Sequence, residues 1–129
     1  MLHLGKHSSR FWFLFMLTPR SLIQAGCSKV FITSRKAAAC EEACAALNAL
    51  PFYGKAISVP ADIAKPSEVE RLVAEVSKHT DHVDILFANA GASWGAPFDK
   101  TPEQSFTKVM DLNVKSVFLC TQKYDDGSQ

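Results

Sequence analysis

The sequence predicts an α/β protein, a parallel sheet with helices on both faces. Two observations carry this reading. Three strand candidates (29–34, 55–59 and 83–88) alternate with segments of helical periodicity. The run 29–34 is β-branched and nearly continuous in apolar character, as strands covered on both faces are. Short strand–helix–strand alternation implies parallel pairing, because each helix returns the chain to the end where the last strand began.

Residues 1–20 read as a divergent apolar segment. Phe11-Trp12-Phe13-Leu14-Phe15-Met16-Leu17 is a run of seven apolar residues after Lys6 and Arg10. It is a candidate replacement first strand, with a signal core or an apolar tail as alternatives. A signal core takes about 7–15 apolar residues and then a small-residue cleavage site. Here Thr18-Pro19-Arg20 follows instead. A membrane span takes about 20 apolar residues, so this run is too short for one. Thr18 as a cap and Pro19 at the first position then open a short helix that Gly26 ends.

The main body runs over 21–123. The second strand is 29–34, and an alanine- and glutamate-rich helix spans about 36–50 before Pro51. The third strand is 55–59, followed by the loop Pro60-Ala61-Asp62-Ile63. A helix starts near Pro66 and repeats Val69, Leu72, Val73 and Val76 on one face. The fourth strand, 83–88, turns out sharply at Asn89-Ala90-Gly91. Thr101 as cap and Pro102 at the first position open the last helix, which runs through Met110 and Val114 to about Leu119. Residues 124–129 form a polar tail. The expected order places the third strand at one edge, then the second, with 11–17 between the second and the fourth.

Composition narrows the function classes. Fourteen Lys and Arg against 13 Asp and Glu leave a net charge of +1 in 129 residues. That balance supplies no field for nucleic acid or an anionic membrane. Cys27, Cys40, Cys44 and Cys120 match no zinc or disulfide spacing, which points to no metal site and to a reducing, cytoplasmic setting. His3, His7, His79 and His82 read as solvated loop residues.

Ligands of open parallel sheets bind beyond the carboxyl ends of the strands. Arg35 and Lys36 follow the second strand at once. In a dinucleotide site an acidic residue there pairs with the ribose 2′-hydroxyl, and an arginine accommodates a 2′-phosphate. No carboxylate lies between Lys29 and Cys40, so NADP is predicted over NAD. The plain alternative is two cations opening a solvated helix. Asp62 either accepts a hydrogen bond from an amine such as adenine's or closes a turn. In Asn89-Ala90-Gly91, the amide can brace strand ends and the small residues let a flat ring approach.

Together these stretches resemble the short-chain dehydrogenase/reductase family. The matching residues are Ala25-Gly26, Val30-Phe31-Ile32-Thr33-Ser34-Arg35, Asp62-Ile63, Asp84-Ile85-Leu86-Phe87-Ala88-Asn89-Ala90-Gly91 and Met110-Asp111-Leu112-Asn113-Val114. The resemblance implies an incomplete Rossmann-like domain and NADP-dependent hydride transfer between nicotinamide and a small carbonyl or alcohol. It implies that Arg35 selects NADP, Asp62 and Ile63 contact adenine, and Asn89, Ala90 and Gly91 line the cofactor. Asn113 takes the family's helix asparagine position in the proton relay. It further implies a homo-oligomer, or association through the last helix.

Two departures qualify that implication. The family's glycine-rich turn is replaced by Leu17-Thr18-Pro19-Arg20-Ser21, so cofactor binding is expected to be weak. Tyr124 is followed four residues on by Ser128, so the 129 residues contain no Tyr-x-x-x-Lys. The expectation is a sequence truncated at both ends and inactive alone. The alternative is a non-catalytic module that binds a nucleotide or a partner.

Overall fold

The computed structural model describes residues 9–125, with side chains over 17–124. The early histidines and the polar tail beyond 125 lie outside the described residues. The chain forms two compact units, divided in sequence between Ala61 and Asp62.

The first unit contains helix α1 (Ser9–Gln24), strand β1 (Lys29–Ile32), helix α2 (Ala37–Asn48) and strand β2 (Lys55–Ser58). β1 and β2 pair in parallel, from Lys29 opposite Lys55 to Ile32 opposite Ser58. This is the predicted pairing of the second and third expected strands. Backbone bonds continue past the ladder, from Val59 N–H to the Ile32 carbonyl (2.9 Å) and from Ala61 N–H to the Ser34 carbonyl (3.0 Å). Val30, Ile32, Cys40, Ala43, Cys44, Leu47 and Ala56 form the core with Ile23 of α1. Asn48 at the end of α2 acts as a one-residue strand. Its Nδ2 donates to the Ala56 carbonyl (2.9 Å) and its Oδ1 accepts from Ala56 N–H (2.8 Å), satisfying both groups of that residue.

The N-terminal expectation is corrected here. Residues 11–17 are helical, and α1 runs unbroken from Ser9 with Pro19 inside it. An all-apolar run carries no period, so it suits a helix as well as a strand. Pro19 therefore sits mid-helix rather than at its first position, where it removes one backbone donor. The stop is as expected. Gly26 has φ 104°, its N–H donates to the Ile23 carbonyl and Cys27 N–H donates to Leu22, the paired bonds of a Schellman cap.

The second unit contains helix α3 (Pro66–Ser77), a single 3₁₀ turn (Phe98–Lys100), helix α4 (Glu103–Met110) and helix α5 (Ser116–Asp125). A π-helical turn, Asp111–Lys115, joins α4 to α5. α3 buries Val69, Leu72 and Val76, and packs against α5. Leu112, Ser116 and Cys120, spaced four apart, are buried in turn. Lys123 reaches Glu70 at 3.5 Å, an ion pair between α5 and α3.

Two further expectations fail in this unit. Residues 83–88 do not form a strand; only Asn89 makes an isolated bridge. A strand exists through its neighbour's backbone, and the segment expected to lie beside this one is helical. Ile85 and Phe87 are left exposed. Thr101 does not cap the last helix: its hydroxyl donates to the Pro97 carbonyl (3.1 Å), and α4 begins at Glu103. Among the described residues no helix is long and apolar enough to cross a membrane.

Candidate functional site

In the first unit, the turn after β1 is shaped by the two side chains before Arg35. Thr33 is buried and its hydroxyl donates to the Val59 carbonyl (2.6 Å), tying the end of β1 to the segment after β2. Ser34 is buried too; its Oγ accepts from Lys36 N–H and lies 3.2 Å from Cys40 Sγ. These contacts reverse the chain at once into α2 and leave Arg35 and Lys36 exposed at the carboxyl end of the strand. The residue predicted to meet a 2′-phosphate is thus presented by a buried frame. Thr33 and Ser34, expected within the strand, lie past its end at Ile32 and take this framing role. Two adjacent hydroxyl residues at a strand end were the available signal.

In the second unit, Ile63 is buried and Asp62 half-buried. Asp62 Oδ1 accepts from Ala64 N–H (3.4 Å), its carbonyl accepts from Lys65 N–H (2.9 Å), and Lys65 Nζ stands 3.9 Å from Oδ2. The carboxylate thus takes part in the turn that leads to α3.

The strongest geometry of this unit joins the Asn-Ala-Gly segment to Asn113. Asn113 Oδ1 accepts from Ala92 N–H (2.7 Å), and its Nδ2 donates to the Ala92 carbonyl (2.8 Å). One side chain thus satisfies both backbone groups of a residue 21 positions away. Gly91 lies under the same amide: a Cβ there would stand 3.3 Å from Asn113 Oδ1, tighter than an ordinary contact. Asn89 is exposed and Ala90 half-buried. Ala92, the residue actually clamped, lies one position beyond the Asn89-Ala90-Gly91 segment that the sequence singles out.

Asn113 sits at the centre of the π-helical turn, a placement the pattern of apolar residues does not disclose. Ser116 N–H donates to Asp111, five residues back, instead of to Leu112. The Ser116 hydroxyl takes up the Leu112 carbonyl instead (2.6 Å). The extra residue in that turn rotates the helix face. Such single π turns recur at functional sites.

Tyr124 is no substitute for a catalytic tyrosine. Burial, with Cys120 beside it, pushes its phenol up to about 12. With its pKa raised, the phenol stays protonated at neutral pH and is not available there as a base. Burial likewise raises Cys120, and burial plus the neighbouring Cys40 raises Cys44 to about 11, which leaves both as inert packing thiols. No group of three metal-ligating side chains occurs among the described residues.

The residues fit a dinucleotide only in part. The turn after β1 suits a 2′-phosphate. The segment that would have to cradle the diphosphate is a continuous helix, whose amides bond to carbonyls one turn back. It has no strand–turn–helix junction to aim N–H groups at a phosphate.

Residues 17–126 match the short chain dehydrogenase family. Over 104 residues the chain is 39% identical to the rhamnolipids biosynthesis 3-oxoacyl-[acyl-carrier-protein] reductase of Pseudomonas aeruginosa, covering 81% of this chain and 39% of that protein. It is 35% identical over 68 residues to a hydroxynaphthalene reductase-like protein of Metarhizium guizhouense, covering 53% of this chain and 26% of that one. Among solved structures it superimposes on the Pseudomonas aeruginosa RhlG/NADP active-site complex with TM-score 0.77 at 37% identity, covering 86% of this chain and 42% of that one. The L-sorbose reductase of Gluconobacter frateurii complexed with NADPH and L-sorbose gives TM-score 0.82 at 19% identity, over 88% and 43% of the two chains. The chain spans about two fifths of the length of the first of these relatives.

Proposed function

The chain belongs to the short-chain dehydrogenase/reductase family, and we propose that it supplies the cofactor-binding part of an NADP-dependent oxidoreductase acting on a small carbonyl or alcohol. The observation that carries this reading is Arg35, exposed after β1 on the frame of Thr33 and Ser34. A guanidinium at this place answers the charge and geometry of a phosphate, where an acidic residue would answer a hydroxyl. In the second unit Asp62 and Ile63 take the adenine role by family position. Asn89, Ala90 and Gly91 line the cofactor, held through the clamp of Asn113 on Ala92. Bound NADPH would supply a hydride to a carbonyl, and bound NADP+ would accept one from an alcohol. The chain's own residues position it, and the proton donor of the family motif is not among these 129.

Support for NADP over NAD comes from the solved relative at 37% identity, described as an NADP complex. The four free thiols suit the cytoplasm. The test is a nucleotide titration of the purified chain followed by fluorescence. NADPH should bind at least about tenfold tighter than NADH, the factor that one charge-assisted contact supplies. Arg35→Asp should abolish that preference. Equal affinity for the two nucleotides in the unaltered chain would refute the assignment.

The second reading, a module that binds nucleotide or partner without turnover, is favoured by the lack of a Tyr-x-x-x-Lys motif within these 129 residues. With NADPH and a panel of ketones the 129-residue chain should show no oxidation above background. Steady turnover would remove this reading.

A further inference from the structure

We infer that Ser116 is the positioning residue for Asn113: its buried hydroxyl holds the π-helical turn in place and so keeps the Asn113 amide aimed at Ala92. The inference deepens the reading that Asn113 takes the relay position, and rests on that reading for its functional meaning.

The turn between α4 and α5 diverts an amide from its usual acceptor. In an α-helix the Ser116 N–H would go to Leu112; here it goes to Asp111. Leu112 and Ser116 are 7% and 1% exposed, so the site is closed to bulk water. A buried carbonyl that loses its donor carries the cost of its desolvation. The Ser116 hydroxyl answers that cost by donating to the Leu112 carbonyl at 2.6 Å. Two other helical hydroxyls bond four residues back, Ser77 to Val73 and Thr121 to Val117, each at 2.9 Å. Both are exposed, where water replaces a lost hydroxyl. Ser116 differs from them by its burial and by the diverted amide beside it.

Asn113 lies in the middle of this turn. On the far side α5 is fixed, because Ser116 and Cys120 are buried and α5 packs against α3. Without the hydroxyl, the donor at hand for the Leu112 carbonyl is the N–H of Ser116 itself. Taking it restores the α pattern and turns the residues ahead of Ser116 by up to about 100°, the angle of one residue in a helix. The Asn113 amide then leaves Ala92, whose N–H and carbonyl it now holds at 2.7 and 2.8 Å. Lys115 also spans the turn, 3.6 Å from Asp111, but that pair is open to solvent and holds little.

The experiment compares the unaltered 129-residue chain with Ser116→Ala, Ser116→Thr and Thr121→Ala by NMR, with no nucleotide present. Couplings through hydrogen bonds identify the carbonyl that accepts from the Ser116 N–H, and hydrogen exchange reports the Ala92 amide. In Ser116→Ala the coupling should pass from Asp111 to Leu112, and Ala92 should exchange at least about tenfold faster. Ser116→Thr, which keeps the hydroxyl, should retain the original coupling and rate, and Thr121→Ala should alter neither. A Ser116→Ala chain that keeps the Asp111 coupling, or keeps the Ala92 rate, overturns the inference. So does a Ser116→Thr chain that behaves like Ser116→Ala, or equal quickening in Thr121→Ala, which would mark a general loosening of α5. Should Ser116→Ala fail to fold, the unaltered chain decides. Its Ser116 hydroxyl proton should be resolved and slow to exchange, and a proton lost to rapid exchange with water overturns the inference. Because these readouts need no nucleotide, a failure of the chain to bind NADPH falls on the cofactor reading alone.

Discussion

The two units of this chain obey the same sequence rules and reach different degrees of completion. In the first, two strands pair, a helix side chain closes the edge at Ala56, and buried residues from Ile23 to Ala56 gather into one core. In the second, an equally apolar run at 83–88 forms no ladder, and Phe87, Trp94, Phe106 and Phe118 stay exposed. Apolar content does not separate the two. Partners do: a strand is completed by another strand's backbone, and a helix face by a surface that covers it.

The largest effect expected from this contrast is in the first unit. Leu47 is 1% exposed at the centre of the core. Leu47→Ala should cost about 2–5 kcal/mol, by lost transfer energy and the cavity left behind. Denaturant unfolding followed by circular dichroism checks it. A cost below about 1 kcal/mol would mean that this unit is no better packed than the other.

Next is an alkaline transition. Cys44 titrates near its ordinary value of 9.0 when unfolded and at about 11 in the fold. Between those values the unfolded chain binds fewer protons than the native one, so stability falls as pH rises. The loss should amount to about 2–3 kcal/mol from pH 9 to 11. Cys44→Ala should flatten this part of the pH profile, whereas a profile unchanged by the substitution would contradict the burial argument.

A smaller effect is expected at the Asn113 clamp. Asn113→Ala frees the N–H and carbonyl of Ala92, but this segment is exposed and water replaces the lost partner. The stability cost should be about 0.5–1.5 kcal/mol. Hydrogen exchange of the Ala92 amide should quicken markedly, while the Val59 and Ala61 amides of the first unit stay protected. Unchanged exchange at Ala92 would show that something else holds the segment.

The smallest effect is at the exposed aromatic surface. Phe118→Ser, at a position 64% exposed, should change unfolding stability by no more than about 0.5 kcal/mol. It should also reduce self-association seen in sedimentation, because exposed apolar patches recruit partners. A large stability loss would mean that Phe118 is covered in solution.

Local chemistry made much of this protein legible from its residues alone. Alternating periods marked β1, α2, β2 and α3, because each carries its own spacing, cap or breaker. Gly26 announced a helix stop, since a left-handed residue has few other uses there. Arg35 and Asn113 were visible through their places after a strand and within a motif. Other features depended on residues far away in the chain. The run 11–17 has no polar residue to set a period, so its state was settled by docking of α1 through Ile23 onto the core around β1. The run 83–88 carries strand formers at Val83, Ile85 and Phe87, yet pairing belongs to two segments and not to one. The clamp of Asn113 on Ala92 and the π-helical turn around it arise the same way, since hydrogen bonds across 21 positions are decided only when the chain has already folded back.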